Sequence, residues 1–278
     1  MPQPLDVRSL LREFDLRAQK GLGQNWLVDE SALACIAAAA ELTPQDTVLE
    51  IGPGLGSLTR HLAEQAGRVV AVELDAHLFP PLRRVLAHYA NVTLVQGDIL
   101  QCDLSALVAP GYKVAANLPY YITSAVIRHL LEASVRPALI VLTVQSEVAQ
   151  RITAAPGNQS LLAVSVQFYG RPSIVARIKA GSFYPAPQVD SAVVRIEPYQ
   201  RPAVEVADRD QFFAVVKAGF AQKRKQLHNA LATGLRKSPA QIAAVLEHAG
   251  VDGRRRAETL DLHEWAAITQ ALFPSSAR

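Results

Sequence analysis

Asn117-Leu118-Pro119-Tyr120 is a run of residues with a specific chemical use. It follows Tyr112-Lys113-Val114-Ala115-Ala116, an apolar stretch that reads as a buried strand. An asparagine at a strand mouth, a proline that stiffens the next turn and an aromatic ring beside it suit the methylation of an exocyclic amine on a nucleic-acid base. That amine is a poor nucleophile because its lone pair is delocalised into the ring. To attack a methyl carbon, the nitrogen must move toward tetrahedral geometry. Acceptors aimed at its two hydrogens favour that geometry and stabilise the positive charge it acquires. The Asn117 side-chain oxygen and the Leu118 backbone carbonyl can be those acceptors. Pro119 has no N–H and a fixed φ, which helps hold the carbonyls, and Tyr120 can stack on the base. The same four residues also read as a strand-to-helix turn with an Asn cap and a Pro at the first turn. On these residues alone the two readings stand level.

A second set lies upstream. Glu50-Ile51-Gly52-Pro53-Gly54-Leu55-Gly56 sits between a β-rich run, Thr47–Ile51, and a helix-length segment. Glycines let a backbone turn sharply and approach a ligand closely, and the helix start behind them offers free N–H groups. A dinucleotide fold prefers G-x-G-x-x-G. The spacing here is G-x-G-x-G, which leans toward an adenosyl cofactor without a pyrophosphate. A tight strand-to-helix turn would use the same glycines. Two carboxylates add weight. Glu73 ends the second strand, where an acid commonly accepts bonds from ribose hydroxyls. Asp98 follows the third strand, where it can meet an adenine amino group. Asp75 competes with Glu73, but reads better as the cap of the following helix.

These residues need a frame. Arg68–Glu73 and Val92–Gln96 read as further strands, the run before Asn117 as a fourth, and Leu139–Val144 as a fifth. Helix-length segments fall at about 30–41, 57–66, 76–89 and 122–133. Strand–helix alternation with near-continuous apolar strands predicts an α/β fold with a mostly parallel central sheet covered on both faces. After a helix at about 146–154, Leu161–Tyr169 and Ser191–Ile196 read as late strands, an antiparallel edge. Pro198-Tyr199-Gln200-Arg201-Pro202 reads as a linker. Beyond it only helical periodicity is found, at about 209–221, 223–235, 239–248 and 261–272, with Ser238 and Pro239 opening the third helix. The predicted domains are therefore 1–197 and a small all-helical 198–278.

Bulk properties narrow the class. The chain has 278 residues, 50% hydrophobic and 19% charged, as expected of a soluble globular protein. No apolar run is long enough to span a bilayer. The first twenty residues carry Arg8, Glu13, Asp15 and Lys20 among leucines, so neither a signal peptide nor a transit sequence is expected, and the location is read as cytoplasmic. Cys35 and Cys102 lack C-x-x-C spacing and read as thiols of a reducing compartment. The histidines show no metal-ligand spacing, so no metal is expected. The net charge of +3 is uneven: residues 201–278 hold 12 Lys/Arg against 8 Asp/Glu, the rest 16 against 17. The excess sits in Lys223-Arg224-Lys225 and Arg254-Arg255-Arg256, clusters suited to RNA as well as to an ordinary solvated surface.

Together these motifs resemble the KsgA/RsmA-type small-subunit ribosomal RNA adenine dimethyltransferases. The resemblance runs through Lys20–Asp29, Glu50–Gly56, Val72–Asp75, Gly97-Asp98, Asn117–Tyr120, Phe183–Val193, Phe220–Leu231 and Arg256–Leu260. It implies a Rossmann-like class I methyltransferase domain with an RNA-recognition domain behind it, and S-adenosyl-L-methionine as donor. It implies Asn25, Leu27, Gly52, Gly54, Glu73, Asp98 and Asn117 as cofactor contacts. It implies Phe183 as the second face of a base clamp with Tyr120; the residue alone reads equally as a core aromatic. It implies two methyl groups on each of two adjacent adenosines in the 3′-terminal hairpin loop of 16S rRNA, within an immature small subunit. The protein is expected to act as a monomer. Departures are small: Trp26 stands where Phe is common, Tyr121 where Asn or Tyr occurs, and His228 where a basic residue is frequent. Four rivals stay open: a 23S rRNA methyltransferase of the antibiotic-resistance type, a non-catalytic RNA-binding assembly factor, a nicotinamide dehydrogenase and a DNA adenine methyltransferase.

Overall fold

The computed structural model describes residues 2–274. Its strands are β1 (Trp26–Leu27), β2 (Thr47–Ile51), β3 (Arg68–Glu73), β4 (Val92–Gln96), β5 (Lys113–Asn117), β6 (Leu139–Gln145), β7 (Gly170–Ile178), β8 (Phe183–Tyr184) and β9 (Ser191–Pro198). Seven of them form one sheet in the order β4-β3-β2-β5-β6-β9-β7, while β1 and β8 pair separately. Pairing from β4 to β6 is parallel; β9 runs antiparallel to β6, with Ile140 opposite Ile196. The central strands carry no alternation because both faces are covered. Val48, Leu49, Val69, Val114, Ala115, Ile140 and Val141 are fully buried. The expected α/β fold with a mostly parallel sheet and helical C-terminal segments is what the chain adopts.

Strand β2 lies between β3 and β5. The order of the sheet therefore reverses at β2–β5. Loops leaving the carboxyl ends of these two strands diverge and open a crevice, the usual ligand position in such sheets. Gly52 follows β2 and Asn117 ends β5, so both sequence motifs are brought to this point.

Two compact units divide the chain. One holds the residues up to Ala149 together with Pro172–Pro198; the other holds Gln150–Arg171 and the chain from Tyr199 onward. In the second unit the helices are Leu161–Tyr169, Arg209–Phe220, Leu227–Leu235, Pro239–His248 and Leu262–Leu272. The start of Pro239–His248 is a capping box, with Ser238 Oγ accepting from the Gln241 N–H and the Gln241 side chain accepting from the Ser238 N–H.

Two expectations are corrected. Leu161–Tyr169 is a helix, not a strand. A nine-residue apolar run has no period that separates a buried helix from a buried strand. Ser160 decides it by capping, its hydroxyl accepting from the Ala163 N–H at 3.2 Å. At the other end, buried Phe168 stacks on Phe212 with centroids 4.9 Å apart, so the segment belongs to the helical unit. The strand comes later, as β7. The helix expected from 223 begins at Leu227. Residues 221–225 form a turn instead, closed by the Lys225 N–H on the Gln222 carbonyl at 2.9 Å.

Candidate active site

The carboxyl ends of β2, β3, β4 and β5 surround one cavity of about 280 Å³ in the first unit. Asn25, Gly52, Gly54, Glu73, Asp98 and Asn117 line it, as do Leu118, Pro119, Tyr120 and Phe183. The glycine turn and the Asn117 motif thus share a single wall. Leu27 is not part of it: its side chain is 2% exposed and packs in the core beneath the sheet. Phe183 answers to both of its readings, since its ring is buried in that same core and also forms cavity wall.

The acidic and amide side chains that line the cavity are held by neighbours. Glu73 accepts the Gly54 N–H at 3.0 Å and the Asp75 N–H at 2.8 Å, which ties the strand-end acid to the glycine turn. Burial nevertheless raises the Glu73 pKa above the ordinary carboxylate range. Behind it, Glu50 is 1% exposed; burial first, then the neighbouring Glu73 charge, push its pKa up to about 8. Asp98 accepts the Leu100 N–H at 3.0 Å and turns the chain after β4. Asp75 caps the next turn through the His77 N–H, as expected, and also receives the side-chain amides of Gln19 and Gln24.

Asn117 does not cap a helix. Its Nδ2 donates to the Asn25 carbonyl at 3.2 Å, and the turn Tyr120–Ile122 that follows has no side-chain cap. With Nδ2 held, Oδ1 lies on the opposite side of the amide. The Tyr120 hydroxyl shares a hydrogen bond of 2.7 Å with Oγ of fully buried Ser191 on β9, which sets the plane of the ring. Burial raises the Tyr120 pKa, so the phenol stays neutral.

Trp26 was legible only as a departure from a pattern, yet it shapes the cavity. A Cβ on Gly54 would fall 2.7 Å from its ring, and Gly54 sits at φ +59°. A side chain there meets both an aromatic wall and a disfavoured backbone.

The profile of the ribosomal RNA adenine dimethylase family matches residues 15–270. The Ribosomal RNA small subunit methyltransferase A of Dehalococcoides mccartyi is 46% identical over 94% of this chain and 91% of its own. Among solved structures, the 23S rRNA methyltransferase ErmE is 32% identical, with a TM-score of 0.71 over 89% of this chain and 99% of that one. A dimethyladenosine transferase from Plasmodium falciparum is 26% identical, with a TM-score of 0.74 over 87% and 95%. The chain belongs to the ribosomal RNA adenine dimethylase family.

As a dimethylase of ribosomal RNA it must also hold a large polyanion. In the second unit the two basic runs are neighbours. The Leu227 N–H donates to the Arg255 carbonyl at 2.7 Å and the His228 N–H to the Gly253 carbonyl at 3.1 Å. Sequence spacing gave no sign of this junction. The six side chains are not equivalent. Lys223, Arg224 and Lys225 are exposed on the 221–225 turn. Arg254 is paired with Asp252 through two nitrogens. Arg255 is locked onto Glu264 and the Thr259 carbonyl. Arg256 stands 3.9 Å from Glu258 and is 54% exposed.

Proposed function

We propose that this dimethylase transfers methyl groups from S-adenosyl-L-methionine to the exocyclic amines of two adjacent adenosines in the 3′-terminal hairpin loop of 16S rRNA, on a maturing small subunit. On this reading it works as a cytoplasmic monomer and as a small-subunit biogenesis factor. The observation that carries the reading is the single cavity joining the Gly52–Gly54 turn to Asn117-Leu118-Pro119-Tyr120. The name of the Dehalococcoides relative supports the small subunit.

The cavity suits an adenosyl donor. Glu73 and Asp98 offer carboxylate oxygens to hydroxyl and amino groups, Gly52 and Gly54 offer bare backbone, and Ile99 and Leu78 offer apolar wall. Asn25, Gly52, Gly54, Glu73, Asp98 and Asn117 are the residues that would hold it. When bound, the donor's sulfonium supplies an electrophilic methyl group with its own driving force, so no strong base is needed in the transfer.

The chain's part is orientation. Tyr120 and Phe183 would clamp a base drawn from a loop, where leaving the stack costs less than in a duplex. Asn117 Oδ1 and the Leu118 carbonyl would accept the two amine hydrogens and turn the nitrogen lone pair toward the methyl carbon. Asn25 keeps the Asn117 amide from flipping, because its carbonyl accepts Nδ2. The positive charge that reaches nitrogen is stabilised by the same two oxygens until the proton departs to water. A monomethylated amine retains one hydrogen and needs only one of the two acceptors, so the same pocket serves the second transfer.

The test is labelled methyl transfer to immature small subunits and to isolated 23S RNA, with mass mapping of the modified adenines. Two adjacent dimethylated adenosines at the small-subunit 3′ end are expected. The likeness to ErmE gives the large-subunit reading its one specific support, and transfer to 23S RNA alone would establish it. A chain that binds no donor in a titration would be an assembly factor without catalysis.

A further inference from the structure

Tyr121 has no part in the chemistry above. The residue is 61% exposed, more than any other large hydrophobic residue among the described residues. Single exposed aromatics are common and need no explanation. The position of this one does, because Tyr121 also belongs to the cavity wall and directly follows Tyr120 on the turn Tyr120–Ile122. Tyr120 is anchored inward by its hydroxyl, while Tyr121 stands at the mouth. The ring is backed on one side. Gly23 lies against it: a Cβ there would come within 3.5 Å of Cδ1 and Cε1 and within 3.2 Å of the Pro119 Cβ. Gly23 sits at φ +62°, a conformation suited to glycine, so the backing surface is bare backbone. The result is a planar apolar platform, supported beneath and open above, at the entrance to the pocket.

An RNA strand that delivers one base into the cavity has a particular problem at that entrance. The base beside the extruded one loses its stacking partner. An aromatic ring at the mouth restores the stack whatever the base is, since every base has a π face. We propose that Tyr121 is a second base site, a stacking platform for the nucleobase flanking the target adenosine. This rests on the reading of Tyr120 as the platform for the target base. The site adds affinity and holds the strand in register. It does not choose the sequence, because stacking carries little base identity.

The experiment uses reconstituted small-subunit particles whose RNA carries either a normal or an abasic nucleotide on each side of the target adenosine. Wild type, Tyr121→Phe and Tyr121→Ala are compared for KM, kcat and S-adenosylhomocysteine binding. Tyr121→Ala is expected to raise KM for the RNA about 5- to 100-fold, with kcat changed far less and S-adenosylhomocysteine affinity unchanged. Tyr121→Phe should match wild type. The abasic nucleotide on one side should cost wild type a similar factor and cost Tyr121→Ala nothing further. As a readout independent of transfer, 2-aminopurine at the flanking position should lose fluorescence on binding wild type and keep it with Tyr121→Ala. Equal abasic penalties in wild type and Tyr121→Ala would overturn the proposal. So would a loss confined to S-adenosylhomocysteine affinity, which would make the ring part of the donor pocket. Failure of wild type to methylate either adenosine would instead overturn the underlying reading, and the platform with it.

Discussion

The cavity proposed for methyl transfer and the basic surface proposed for RNA binding are built in opposite ways. In the cavity, each polar side chain expected to act is restrained by another part of the chain: Asn117 by Asn25, Glu73 by the glycine turn, Tyr120 by Ser191. On the surface, Lys223, Arg224 and Lys225 stand exposed on a turn with no ion pair among the described residues. Transfer to a weak nucleophile depends on where a few atoms sit, so their freedom is removed before the substrate arrives. Attraction to phosphates depends mainly on charge number and falls with salt, so flexible cations suffice. Substitutions in the two regions should therefore fail in different ways.

The largest effect is expected at Asn117. Asn117→Ala removes one acceptor from the amine and should lower kcat about 100- to 1000-fold, the range for losing one preorganised polar group. The thermal unfolding midpoint should stay close to wild type. Initial rates with labelled donor, together with calorimetry, check both. A variant retaining a tenth or more of wild-type activity would remove Asn117 from the mechanism.

Reversing Lys223, Arg224 and Lys225 to Glu should act on the other side of the comparison. RNA affinity should fall at least tenfold at physiological salt. The slope of log affinity against log salt should flatten by about 2 to 3, since each lost phosphate contact removes roughly 0.7–0.9. Donor affinity should not change. An unaltered salt slope would mean that the turn does not touch RNA.

Glu50 tests how far preorganisation extends behind the cavity wall. Its folded pKa is raised to about 8 from an ordinary 4.5. An acid with a raised folded pKa favours the folded state most when protonated in both states. Its contribution is therefore complete below about pH 4.5, is lost as pH rises toward 8, and changes no further above that. Glu50→Gln lacks this titration. Without bound ligands it should be more stable than wild type at pH 8, by on the order of 4 kcal/mol, and nearly equal at pH 4.5. Parallel stability curves for the two proteins across this range would show that Glu50 is not buried as a neutral acid.

The sequence made the first region legible because its order follows from the sheet. Once β2 to β5 were read as parallel neighbours, Gly52, Glu73, Asp98 and Asn117 had to meet at their carboxyl ends. Leu27 was carried over with its motif neighbours, but β1 is two residues long and turns that side chain into the core. The helix Leu161–Tyr169 was hidden because an unbroken apolar run has no period, and the serine that caps it draws no attention in a sequence. The short helix Val7–Glu13 was passed over as well, although Asp6 caps it with an N–H bond from Ser9 at 2.9 Å. The junction of the two basic runs depends on main-chain bonds between Leu227-His228 and residues 253–255. Side-chain identity does not report such bonds.

The smallest effect separates two adjacent arginines that composition treats as equals. Arg254 pairs with Asp252, two residues away and exposed, so the pair is local and solvated. Exposed pairs of this kind are screened by solvent and add little, so Arg254→Ala should unfold close to wild type. Arg255 is half-buried and joins three points: Glu264 on the last helix, the Thr259 hydroxyl and the Thr259 carbonyl. Glu264 has a second duty, since its Oε2 accepts the Asp261 N–H in the capping box of that helix. Arg255→Ala would leave the carboxylate to balance the cap alone and free the Thr259 carbonyl, for a loss of about 1–2 kcal/mol. Urea unfolding of both variants measures the contrast. In RNA binding the order should reverse, because Arg254 lies at the surface and Arg255 is already engaged within the protein. If Arg255→Ala proves as stable as Arg254→Ala but binds RNA more weakly, then all six basic residues form one undivided electrostatic surface.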